Sequence, residues 1–251
     1  MGLTTQDILD TVDASRRPLA ASLVALADTK LVLGNWHTTC VLNAKSLPDY
    51  SALLAMGGAA FGHARALYDY LTAFGLEYAL LERGRDAGAI HSQAVLDAPP
   101  EDWQDFVVTV YLADQICWLQ AERYLSHPDR TLSGLARRIG EETYFHLKYA
   151  TGWAAEFARD EASARRARDA LLRRYPAALA WFPGDDGHAP AQRQACAKAA
   201  QDLLDILGQG GELGERADTQ VHAADAPWRR RRPLPGRLYE LVRFKDLEAV
   251  P

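Results

Sequence analysis

His63, Asp114 and His146 are the residues of this chain whose types and spacing could do chemistry, because each interrupts an apolar stripe. Leu53, Met56, Ala60, His63, Leu67, Tyr70 and Phe74 fall at alternating steps of three and four. Val107, Val110, Asp114, Cys117, Ala121 and Tyr124 do the same. So do Leu135, Ile139, Thr143 or Glu142, His146, Ala150, Trp153 and Phe157. Such spacing predicts the inward faces of long, nearly parallel helices. A carboxylate on such a face is costly unless it is paired, hydrogen-bonded or bound to a cation. One outcome is a polar core network, with Asp114 accepting from a histidine or from Tyr144. The other is a metal site, since imidazole nitrogen and carboxylate oxygen together suit iron or manganese.

A dinuclear carboxylate bundle takes one acidic residue from each of two helices and Glu-x-x-His from each of the other two. Here the histidines are present, but three residues before them stand Ala60 and Thr143. Glu141 and Glu142 are nearby and out of phase. On the first helix, where a glutamate is wanted, the sequence reads His37, Thr38, Thr39 and Cys40. The candidate metal ligands are therefore His63, Asp114 and His146, with His37 and Glu142 as further candidates. Two divalent ions ask for about four carboxylates beside two histidines. One or two carboxylates do not meet that charge, so the expectation is no metal cofactor, with iron on a reduced set as the alternative.

The elements that must position these residues are legible from the prolines. Between Pro18 and Pro48, Pro48 and Pro99, Pro100 and Pro128, and Pro128 and Pro176 lie stretches rich in Ala, Leu, Arg and Glu, each long enough for a helix. No run of alternating β-branched residues appears, so the predicted fold is all-α. The first helix, about 19–44, is more uniformly apolar and allows two registers. One runs through Leu26, Leu33, His37 and Cys40, the other through Val24, Ala27, Leu31 and Thr38. Two shorter helices are predicted at about 160–180 and 190–207. This divides the chain into an N-terminal segment, 1–18, a helical domain, 19–207, and a Gly- and Arg-rich extension, 208–251. The extension holds Arg229 to Arg232 and at most a short helix near Arg237–Phe244.

Composition narrows the function classes. A net charge of −5 argues against a nucleic-acid binder, and "WRRRRP" has no recognition fold beside it. That run reads as a solvated or docking tail, with phosphate binding as the minority alternative. Cys40, Cys117 and Cys196 form no CxxC pair, which excludes a thiolate zinc site or disulfide framework and points to a reducing cytoplasm. Neither a signal peptide nor an apolar run of membrane-spanning length is seen. Trp36, Trp118, Trp153 and Trp181 are expected in the core or at a subunit interface.

Four stretches, "LADTKLVLGNW", "AMGGAAFGHARALYDYL", "YLADQICWLQ" and "EETYFHLKYATGW", are similar, in that order, to the phenylacetyl-CoA monooxygenase (ring epoxidase) A/C subunit family. The resemblance covers about residues 20–207 and implies a ferritin-like four-helix bundle with two accessory helices. The family's catalytic subunits bind two irons and oxidise the ring of an aromatic CoA thioester. Its companion subunits have lost ligands and serve as scaffold. Catalytic members resemble "DELGHAR" where this chain has "AAFGHAR", so ligand histidine and glutamate map to His63 and Ala60. They resemble "EExxH" where this chain has "EETYFH", mapping to His146 and Thr143. The third-helix aspartate maps to Asp114, and the first-helix glutamate to Thr38 or Thr39. What the resemblance implies is a non-catalytic, C-type companion in an oligomeric oxygenase complex of phenylacetate catabolism, with a degenerate metal site. Its partner would be a catalytic ferritin-like subunit or a second copy, and an acyl-CoA ligand is conceivable. An iron-dependent oxygenase or hydroxylase with a reduced His/Asp set is the alternative.

Overall fold

A computed structural model describes residues 4–85, 89–182, 187–208 and 213. Among these, regular structure is α-helical, with short 3-10 turns: α1 (Thr5–Leu9), α2 (Arg17–Cys40), α3 (Leu47–Leu71), α4 (Tyr78–Arg83), α5 (Trp103–Ala121), α6 (Arg130–Phe157), α7 (Glu161–Leu179) and α8 (Ala189–Ile206). The six long helices stand close to where the sequence reading put four long and two shorter ones. No helix among the described residues is long and apolar enough to cross a membrane.

Local chemistry sets the boundaries. Ser46, Asp102 and Asp160 precede α3, α5 and α7, and their side chains accept from the backbone N–H three residues on, at Asp49, Asp105 and Ser163. Each such cap stabilises its helix by about 1 kcal/mol. Proline occupies the first turn of α2, α3 and α8, where its missing N–H costs nothing. After α3 a 3-10 turn ends at Gly75, whose φ of 84° lies in the left-handed region that only glycine adopts cheaply. Two helices escaped the sequence reading. α1 is held by a reciprocal cap between Thr4 and Asp7, and α4 is a six-residue helix following α3.

The chain divides into two compact units, the first holding 4–92 and 128–135, the second 93–127 and 136–213 among the described residues. In the first, α2 packs along α3. They approach closely at Gly34, where an added Cβ would lie 2.7 Å from the Phe61 ring. A Cβ on Gly57 would meet Thr38 Oγ1 at 3.2 Å and His37 Cβ at 3.4 Å. Every residue of α2 from Ala20 to His37 is buried, so most of this helix has no single inward stripe. Past His37 the ambiguity ends: Cys40 is buried while Thr38 and Thr39 are exposed, as the register through His37 and Cys40 requires.

In the second unit α5 is buried on nearly every face and carries α7 and α8. Tyr111 Oη donates to Ala199 O at 3.0 Å, and Gln192 Nε2 donates to Leu119 O at 2.6 Å. The inward side of α6 here is Ala136, Ile139, Thr143, His146, Ala150, Ala154 and Phe157. Thr143, not Glu142, occupies the inward position. Trp36 and Trp181 are buried, Trp153 meets Trp103 edge-on and Phe157 at a tilt, and a Cβ on Gly140 would lie 2.3 Å from the Trp118 ring.

Candidate functional site

Asp114 and His146 come together in the second unit. The inward phase of α5 and of α6 sets both side chains on buried faces, and His146 Nδ1 stands 3.0 Å from Asp114 Oδ2. An ionised carboxylate only accepts, so the imidazole donates through Nδ1. A neutral ring in that tautomer presents Nε2 as its basic atom. Of the partners expected for Asp114, a histidine lies within hydrogen-bonding distance, while Tyr144 is exposed. Glu142 is half-buried and accepts from Arg138 Nε at 2.9 Å, one helical turn back.

His37 and His63 lie in the first unit, on α2 and α3, and both are buried. Ala60 and Thr143, the residues three before His63 and His146, are respectively 0% and 1% exposed. Thr38, near the end of α2, donates its hydroxyl back to Gly34 O at 2.9 Å. The positions to which the resemblance assigns glutamates thus hold side chains that carry no charge.

Two buried ionic clusters were not anticipated. In the first unit Asp28 accepts from Arg85 Nη1 at 2.8 Å, Arg85 Nη2 at 2.5 Å, Tyr68 Oη at 2.6 Å and the His91 N–H at 2.6 Å. Arg85 also donates to Leu81 O, Ala89 O and Thr5 Oγ1, while the Thr5 hydroxyl donates to Ala89 O. Burial alone would depress the Arg85 pKa, but Asp28 and Tyr68 outweigh it and raise it above the ordinary arginine value. Burial, followed by the Asp28 charge, pushes Tyr68 well up. An available signal was Asp28 itself, an acidic residue within a largely apolar helix.

In the second unit Arg174 grips Asp105 through Nε at 2.9 Å and Nη2 at 2.7 Å. Its remaining donors reach Val95 O, Ala98 O and Pro99 O. Burial favours the neutral acid, yet Arg174 and the Glu101 N–H hold the Asp105 carboxyl below its usual range. Both clusters neutralise themselves, as buried charges must.

The cysteines are structural in character. All three are buried, and burial pushes the Cys40 and Cys196 thiols up to about 12. Cys117 Sγ accepts from Gln93 Nε2 at 3.4 Å. None of this is the electropositive, accessible setting of a nucleophilic thiolate. Arg229 to Arg232 and the helix expected at Arg237–Phe244 lie outside the described residues.

The family model described as "Phenylacetic acid catabolic protein" matches residues 3–207, from before α1 to just beyond the end of α8. The chain belongs to this family. The all-α, ferritin-like fold class read from the sequence agrees with that membership. The match begins before the first of the four resembling stretches, taking in the N-terminal segment, and stops ahead of the arginine-rich extension. No curated protein matches the chain. Within the matched span His63, Asp114 and His146 are buried in helices, and Ala60 and Thr143, three residues before the histidines, are buried as well.

Proposed function

We propose that this chain is the non-catalytic, C-type companion subunit of a multicomponent oxygenase acting on aromatic acyl-CoA substrates of the phenylacetyl-CoA kind. The supporting observation is the content of the ligand positions: Ala60 and Thr143 are buried and uncharged, and Thr38 and Thr39 are exposed at the end of α2. Glu142 offers no ready substitute, being engaged with Arg138. A pair of divalent ions needs about four carboxylates, and this set does not fit it. Asp114 is instead hydrogen-bonded by His146 Nδ1. The role left to such a chain is to fold as its catalytic homologue does and bury a large face against it, as obligate partners do. Where no such homologue is available, a homodimer is the expected form.

Co-expression with a catalytic member of the family tests the proposal. A stable hetero-oligomer in size-exclusion chromatography at micromolar concentration is expected, with iron in the catalytic chain and none in this one. Separate elution of the two chains overturns it.

One observation favours a second reading, an iron oxygenase with a reduced ligand set. Asp114 and His146 form a buried carboxylate–imidazole pair, and His63, to which the resemblance assigns the family's other ligand histidine, is buried too. In that case His63, His146 and Asp114, with His37 or Glu142 added, would bind iron. Iron measured per chain after expression alone, in the native protein and in His63→Ala, separates the two. About one equivalent, lost in the variant, establishes the enzyme, whereas near-zero iron in both supports the companion. An acyl-CoA ligand held by Arg230 to Arg232 is tested by truncation at residue 210, which should then weaken CoA-ester binding.

A further inference from the structure

We draw no further inference here: the strongest candidate, the uncharged outward stripe of α3 that runs from Leu47 and Leu54 to Gly58 and Gly62, is an exposed helix face, and nothing in the structure shows what covers it.

Discussion

His146 Nδ1 and Asp114 Oδ2 are 3.0 Å apart with both side chains buried, so each answers the other's hydrogen-bonding need away from water. Asp114→Ala leaves the imidazole donor without this acceptor, at an expected cost of about 1–3 kcal/mol. Asp114→Asn keeps an oxygen acceptor and should cost less. Equal losses in urea denaturation would mean that the hydrogen bond is not what Asp114 contributes.

Arg85 is a heavily engaged side chain of the first unit, donating to Asp28, Leu81 O, Ala89 O and Thr5 Oγ1. Arg85→Met strands the Asp28 carboxylate in the interior, and breaking a buried pair from one side costs about 3–5 kcal/mol. Adding Asp28→Leu removes the stranded charge and should recover a large part of that loss. Equilibrium unfolding of the two single variants and the double variant closes the cycle. Simple additivity would show the pair to be uncoupled.

The Asp105 carboxyl is held below its usual range by Arg174 and the Glu101 N–H, against the opposing effect of burial. A group whose pKa is lower folded than unfolded contributes stability that is fully present above its unfolded value, about 3.9. That contribution is lost as pH falls through the folded value. Arg174→Met should therefore unfold at a higher pH than the parent. The stability gap between them should narrow below about pH 4. A gap that is constant from pH 7 to pH 3 would rule out this linkage.

Gly140 and Gly58 make a contrasting pair. A Cβ at Gly140 falls 2.3 Å from the Trp118 ring, so Gly140→Ala should destabilise by about 1–3 kcal/mol and shift tryptophan emission. Nothing lies within 4 Å of a Cβ at Gly58, so Gly58→Ala should stabilise α3 by about 0.5–1 kcal/mol. Thermal melts and fluorescence of the two variants test both signs. A stabilised Gly140→Ala would mean that the ring moves aside freely.

All three cysteines are buried, and the Cys40 and Cys196 thiols are pushed up to about 12. A disulfide-exchange chromophore at pH 8 should label none promptly in the native protein and all three after denaturation. Rapid labelling of a native thiol would contradict that burial.

Periodicity made α3, α5 and α6 legible because each turns His63, Asp114 or His146 inward among apolar neighbours. The same method could not choose a register for α2, and the reason is now plain: Ala20 to His37 are buried on every side. The alternative between Thr143 and Glu142 also needed the structure, since both are within one residue of the inward phase. α1 and α4, at five and six residues, are too short for a periodic signal. The Asp28–Arg85 and Asp105–Arg174 pairs span 57 and 69 residues of sequence, and no local pattern announces a partner that far away. At the positions to which the resemblance assigns ligands, the sequence gives the residue types, while the first-helix position stayed open between Thr38 and Thr39.

Arg85 fastens Ala89 within the first unit, and Arg174 fastens Val95, Ala98 and Pro99 within the second, so several described residues between α4 and α5 are held by their own carbonyl groups. A protease must draw several consecutive residues into an extended, accessible strand before it can cut. Residues 89–93 are all buried, with their backbone anchored at Ala89 and His91. Residues 89–93 are therefore among the poorest places to nick the chain or splice in a tag. The exposed turn at Asn43 and Lys45–Ser46 would accept an insertion far more readily.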